Sequence, residues 1–91
     1  MRIARRFYVT GRVQGVGFRY FTQDVAAREG VTGYVRNLPD GRVEALVEGD
    51  LEAVTRVERA IRSGPSGSHV LHVDTEVLTP SGAFKSFRVT S

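Results

Sequence analysis

The sequence predicts an α+β fold in which two helices cover one face of an antiparallel sheet of four or five strands. Several segments alternate between apolar and polar residues, as half-buried strands do. Two other segments repeat apolar residues at spacings of three and four, as amphipathic helices do. Turns containing glycine or proline separate the segments. Because 91 residues is the length of one domain, we expect a single domain over residues 1–91.

The first strand and the first helix are predicted at residues 6–13 and 18–29. Phe7 and Val9 alternate with polar neighbours in the strand, which places them on its buried face. The apolar residues of the helix are Phe18, Phe21 and Val25. Gly30 follows at the position where glycine commonly ends a helix.

A hairpin is predicted next, from strands at residues 31–37 and 42–48. Residues 38–41 read Leu-Pro-Asp-Gly, which is typical of a tight turn because proline presets φ and glycine accepts a positive φ. In the second strand we expect Glu44 and Glu48 to face outward.

The second helix is predicted to begin after Asp50, a residue type suited to the N-cap, and to stop at Gly64. Its apolar stripe is Leu51, Val54, Val57 and Ile61.

Two further strands complete the pattern, at residues 69–78 and 84–90. The inward-facing residues of the first of them are predicted to be Leu71, Val73 and Val77. The order of elements is therefore strand, helix, strand, strand, helix, strand, with a short added strand. This is the split βαββαβ arrangement of ferredoxin-like sandwiches, which carries many functions.

Composition excludes several classes of function. There is no cysteine, which excludes disulfides, thiolate catalysis and cysteine-based metal sites. No apolar run approaches the ~18 residues of a membrane span. No secretory signal pattern opens the sequence, so we expect a cytoplasmic protein.

Positive charge is concentrated at one end of the chain. The net charge is +3, yet residues 1–20 contain five arginines and no acidic residue. Such a local field suits an anionic ligand, although it could equally be a solvated strand face.

The segment that joins the first strand to the first helix has the features of an anion cradle. Gly15 and Gly17 allow the loop to curl, so that the amides from Gly15 through Val16 and Gly17 to Phe18 can point into one concavity. The loop leads into a helix N-terminus, which favours anions. Arg19 lies in the first helical turn, where its guanidinium can bind two phosphoryl oxygens.

Two known phosphate motifs do not match this segment. A P-loop requires a lysine that is missing here, and the dinucleotide fingerprint fails at Tyr20, where it requires glycine. A tight turn without any ligand is the simpler structural interpretation of the two glycines.

The same residues resemble the signature of the acylphosphatase family. The first part of the match is Gly11-Arg12-Val13-Gln14-Gly15-Val16-Gly17-Phe18-Arg19. The second part runs from Gly30 through Gly33-Tyr34-Val35-Arg36-Asn37 to Asp40-Gly41. The resemblance extends over nearly the whole chain, and only residues 66–69 depart from the usual loop.

The resemblance implies hydrolysis of the carboxyl–phosphate bond of acyl phosphates. Arg19 matches the family's phosphate-binding arginine, Asn37 matches its water-orienting asparagine, and the amides of Gly15 to Phe18 match its phosphate cradle. It implies no metal, no cofactor and no covalent phosphoenzyme. The expected partners are small acyl phosphates and inorganic phosphate, with no nucleic acid or membrane, and the expected state is a monomer.

Two other functions remain open. A small basic anion- or RNA-binding ferredoxin-like module is favoured by Tyr8 and Tyr34, which we expect on the outer face of the sheet, where such binders stack bases. The second open possibility is that the chain is a relative of the acylphosphatase-like domains in hydrogenase-maturation carbamoyltransferases. His69 and His72 point to opposite faces of a strand, so they are not expected to share a metal.

Overall fold

The computed structural model describes residues 1–91. Its strands are β1 (Arg2–Arg12), β2 (Thr32–Asn37), β3 (Val43–Asp50), β4 (His69–Leu78) and β5 (Phe87–Thr90). Its helices are α1 (Phe18–Glu29) and α2 (Leu51–Ser63). The strands form one sheet in the order β4-β1-β3-β2-β5, and both helices pack on the same face. Neither helix is long and apolar enough to cross a membrane.

The predicted ferredoxin-like α+β fold is confirmed, with one difference in strand direction. The hairpin of β2 and β3 and the flanking strands β1 and β4 pair antiparallel, as expected. However, β5 runs parallel to β2, so the sheet is mixed. After β4 the chain crosses from one edge of the sheet to the other and reverses direction, which places β5 parallel to its neighbour.

The core lies between the sheet and the helices. It contains eighteen buried apolar side chains in one cluster, including Phe7 of β1 and Phe18 of α1. The predicted stripe of α2 is confirmed at Val54, Val57 and Ile61, whereas Leu51 is exposed because it lies at the first residue of the helix. Helix α1 begins and ends at the predicted residues.

The outer face of the sheet is less solvated than the sequence predicts. Glu44 and Glu48 lie on that face, but each is only 2% exposed. They face outward as predicted, but other residues shield them from solvent. Residues 79–86 pass over Glu48, and neighbouring side chains enclose Glu44, whose carboxylate accepts a hydrogen bond from the Tyr34 hydroxyl at 2.8 Å.

Strand β4 departs from its predicted inward face. Val73 is buried, but Leu71 and Val77 are 70% and 72% exposed. The pairing of β1 with β4 shifts register between Thr10 and Gly11, where Leu71 of β4 has no partner, and Val70 rather than Leu71 packs against the core. β4 is also an edge strand, so its outer residues have fewer neighbours to bury them.

Candidate active site

The loop between β1 and α1 curls as its glycines predict. Gly15 has φ 74° and Gly17 has φ 79°, both in the left-handed region that residues other than glycine rarely adopt. Gly17 is also the N-cap of α1 and provides no side-chain cap. The loop therefore turns directly into the helix and leaves the first helical amides uncapped.

Six successive amides at this turn have no acceptor within the protein. The first helical hydrogen bond is donated by the Phe21 N–H to the Gly17 carbonyl at 3.0 Å. The N–H groups of the preceding residues, 15–20, donate to no backbone or side-chain atom. Free donors at a helix N-terminus carry partial positive charge, so this turn can accept an anion.

Arg19 adds a full positive charge at the same place. Its side chain is half-buried and lies within 4.0 Å of no carboxylate. The one contact of its guanidinium is a long hydrogen bond, 3.5 Å, to the backbone carbonyl of Thr90 at the end of β5. Most of its donors are therefore free to bind a ligand.

Asn37 is the last residue of β2, and its side-chain amide makes no hydrogen bond within the protein. The Asn37 side chain therefore does not bond to its own turn, as an asparagine next to a turn often does. A rigid strand presents the carboxamide instead, with its oxygen free to accept and its nitrogen free to donate.

The cradle and Asn37 line one pocket of about 100 Å³. Its lining residues are Val13, Gly15, Gly17, Phe18, Arg19, Tyr20 and Asn37. The structure thus brings together five of the six predicted site residues. The sixth, Val16, does not line the pocket, because its side chain packs against the core.

The pocket contains one charged side chain, that of Arg19, and no carboxylate, histidine or hydroxyl nucleophile other than the Tyr20 phenol. The two histidines lie elsewhere on β4, where His72 Nε2 is 2.8 Å from an Asp74 carboxylate oxygen. The arrangement can bind an anion and orient a neutral molecule beside it.

Gln14 is a residue whose importance the sequence did not reveal. Its side-chain nitrogen donates to the carbonyl of Leu38 at 2.8 Å and to that of Arg42 at 2.9 Å. These bonds join the start of the cradle to both ends of the turn that follows Asn37. No periodicity marks such a residue; the signal in the sequence is its place in the motif from Gly11 to Arg19, directly before Gly15.

The turn itself is fixed by Asp40. Its carboxylate accepts from the Arg42 N–H at 3.1 Å and from the Arg42 guanidinium at 2.9 Å. The backbone hydrogen bond from Arg42 is the main reason that the pKa of Asp40 lies below its usual range. At neutral pH the turn is therefore held by a charged aspartate.

Comparisons with known proteins point to one family. The acylphosphatase family model matches residues 5–89. An acylphosphatase of Chromohalobacter salexigens is 56% identical over 80 residues, which cover 86% of this chain and 89% of that protein.

Solved structures give the same result. The crystal structure of acylphosphatase from Bacillus subtilis is 36% identical, with a TM-score of 0.94, and the match covers 98% of this chain and 99% of that one. A structure of full-length HypF in a phosphate- and nucleotide-bound form is 26% identical, with a TM-score of 0.88 over 100% of this chain but 12% of that one. The long HypF chain thus contains a similar unit, while the B. subtilis protein matches end to end. With its sequence, fold and length all in agreement, the chain belongs to the acylphosphatase family of enzymes.

Proposed function

We propose that the pocket hydrolyses the carboxyl–phosphate bond of acyl phosphates, with Arg19 and the loop amides holding the phosphoryl group and Asn37 orienting the attacking water. The observation that carries this proposal is the convergence, in one pocket, of free amides, an arginine without an acidic partner and a carboxamide without hydrogen bonds.

The cradle supplies binding and charge stabilisation. Phosphoryl transfer depends mainly on positioning and on donors that face the three equatorial oxygens as charge redistributes. The amides of Gly15 to Phe18 and the forked guanidinium of Arg19 are such donors. They need no rearrangement during the reaction, because the turn and the helix already hold them.

Asn37 acts on the water. Its carbonyl oxygen accepts a hydrogen bond from the water and sets the line along which the oxygen attacks phosphorus. The new phosphorus–oxygen bond forms as the bond to the acyl oxygen breaks, and the carboxylate leaves with the electron pair. An amide is too weak a base to deprotonate water, so the proton passes to a phosphate oxygen. A carboxylate is a good leaving group and requires little acid catalysis.

This mechanism uses no metal, cofactor or covalent phosphoenzyme. The pocket offers none of the carboxylate or imidazole ligands that metals prefer, and no serine, cysteine, histidine or carboxylate nucleophile. The proposed ligands are small acyl phosphates as substrates and inorganic phosphate as product.

The outer face does not favour the alternative of RNA binding. The Tyr8 ring is covered by the guanidinium of Arg42, whose central carbon lies 4.9 Å from the ring centre. Tyr34 bonds to Glu44 and contacts the ring of Phe84, with 6.0 Å between ring centres. The outer face therefore lacks a row of open rings on which successive bases could stack, so we propose no nucleic-acid partner.

We also propose that residues 1–91 act as one domain, as a monomer in the cytoplasm. One sheet and one apolar cluster include elements from both ends of the chain. A lack of cysteine is compatible with a reducing compartment. Gel filtration would test the monomeric state, and fractionation of cells would test the cytoplasmic location.

The test of the proposed function is hydrolysis of benzoyl phosphate in the presence of EDTA. Wild type should react rapidly, and Arg19→Ala and Asn37→Ala should each lose about two or more orders of magnitude in kcat/KM while remaining folded. Arg28→Ala is the matched control, because Arg28 lies in the last turn of the same helix and makes no ion pair. A folded wild type without activity would refute the proposal.

A further inference from the structure

A second, larger cavity lies on the outer face of the sheet, between β2, β5 and the segment of residues 79–86. Its volume is about 340 Å³. The residues that line it are Gly33, Tyr34, Arg36, Phe84, Arg88 and Thr90. We call it the outer groove.

The walls of the outer groove are held in place by buried polar contacts. The Glu48 carboxylate accepts from the Ser81 hydroxyl at 2.6 Å and from the N–H groups of Ser81 and Gly82 at 3.1 Å. The Gly33 N–H donates to the Ser86 carbonyl at 3.0 Å. These bonds fix both ends of the segment that carries Phe84, so the groove exists before any ligand arrives.

The groove combines an aromatic wall with unneutralised positive charge. The rings of Tyr34 and Phe84 stand 6.0 Å apart at an angle of 53°. Arg36 is neutralised by the buried Glu44. Arg88 forms no ion pair, and neither does Lys85, which lies with Arg88 in an adjoining cavity of about 260 Å³. No carboxylate lines either cavity.

The outer groove starts beside the phosphate pocket. Thr90 lines the groove, and its carbonyl accepts the hydrogen bond from Arg19. In the parallel pairing of β2 with β5, Thr90 lies opposite Arg36, the residue that precedes Asn37. Arg88 is two residues away from Thr90, about 7 Å along the strand. A substrate whose phosphoryl group sits at Arg19 can therefore extend its acyl group toward Arg88.

We propose that the outer groove binds the acyl part of the substrate and selects acyl phosphates that carry a second carboxylate on an apolar or aromatic body. Tyr34 and Phe84 contact the body, and the Arg88 guanidinium pairs with the second carboxylate. This inference rests on the proposed function, because it assigns the substrate class of the same site. It explains why a free arginine stands at the far end of an aromatic groove.

The test compares two substrates that differ by one carboxylate, benzoyl phosphate and 4-carboxybenzoyl phosphate. Wild type should have the higher kcat/KM for the carboxylated substrate, and added salt should reduce that preference. Arg88→Gln should lower kcat/KM for 4-carboxybenzoyl phosphate by up to about fivefold, the upper end for an exposed ion pair, and change kcat/KM for benzoyl phosphate by less, so that the ratio of the two values falls. Phe84→Ala should lower both values.

Arg28→Gln is the control for the change in net charge, and it should leave the ratio of the two substrates unaltered. If Arg88→Gln and wild type give the same ratio while both hydrolyse benzoyl phosphate normally, the outer groove is not the acyl site and the proposed function stands. If folded wild type hydrolyses neither substrate, the proposed function itself is wrong and the groove assignment is lost with it.

Discussion

Replacing Gln14 by alanine would separate the cradle from the turn that carries Asn37. The side-chain nitrogen of Gln14 donates two hydrogen bonds, at 2.8 and 2.9 Å, to the carbonyls of Leu38 and Arg42. Each neutral hydrogen bond contributes roughly 0.5–1.5 kcal/mol to the free energy of unfolding. Both carbonyls keep another donor, since the N–H groups of Gly41 and Leu38 remain bonded to them. Two such bonds would contribute about 1–3 kcal/mol, and because both carbonyls keep a donor, we expect the free energy of unfolding to fall by only about 1–2 kcal/mol.

That loss should leave the protein folded. A chain of 91 residues has a total stability of about 5–14 kcal/mol, and a loss of 1–2 kcal/mol corresponds to a Tm lower by roughly 4–16 °C. Thermal unfolding followed by circular dichroism measures this shift.

The effect on activity should exceed the effect on folding. A displacement of about 1 Å between catalytic groups can cost about a hundredfold in rate, so we expect kcat of Gln14→Ala on benzoyl phosphate to fall about ten- to a hundredfold. Inhibition by inorganic phosphate should change little, because Arg19 and the loop amides are untouched. Gln14→Glu should be at least as slow, because its carboxylate would face two carbonyl oxygens.

Gln23→Ala is the matched control. Gln23 lies in α1, and its side-chain nitrogen also donates to a backbone carbonyl, that of Phe87 at 3.4 Å, away from the pocket. It should lose stability without losing kcat. If Gln14→Ala is less stable but fully active, the two hydrogen bonds have only a structural role. If its Tm is unchanged, the two bonds do not contribute to stability.

Three further predictions follow from single residues. In Gly17→Ala the alanine must adopt φ near 79°, which costs about 1–2 kcal/mol of stability, and the variant should also be inhibited less strongly by phosphate. Gly30→Ala, at the other end of α1, is the control, and it should only lower the midpoint of urea unfolding. Arg19→Lys keeps the charge but loses the fork, so phosphate inhibition should weaken by about tenfold without a change in Tm. Burial opposes the charged form of Glu48, but hydrogen bonds from Ser81 and Gly82 outweigh it and hold the pKa of Glu48 below its usual value. The Glu48 carboxylate therefore binds a proton more readily in the unfolded chain than in the folded protein. Its contribution to stability is complete above about pH 4.3 and is lost as the pH falls through the lower pKa of the folded state. When Tm is measured against pH, the Tm of Glu48→Gln should therefore fall less steeply in acid than that of the wild type.

The predictions made from the sequence were most accurate where structure depends on near neighbours. The bounds of α1 and β4 agree with the expected ones, since apolar periodicity and the residues at each end are local properties. Gly15, Gly17, Phe18, Arg19 and Asn37 line one pocket. The chemical roles of Arg19 and Asn37 stay predictions until the variants are assayed.

The two helices, the hairpin, the curled loop and the family could all be predicted from the amino-acid sequence, because spacing, turn residues and contiguous motifs are properties of short segments. Four features became visible only in the folded chain: the parallel pairing of β5, the burial of Glu44 and Glu48, the exposure of Leu71 and Val77, and the two hydrogen bonds of Gln14. Each of these depends on which distant segment lies alongside. A residue pattern specifies which side of a strand a side chain occupies, but the elements that pack there determine whether water reaches it.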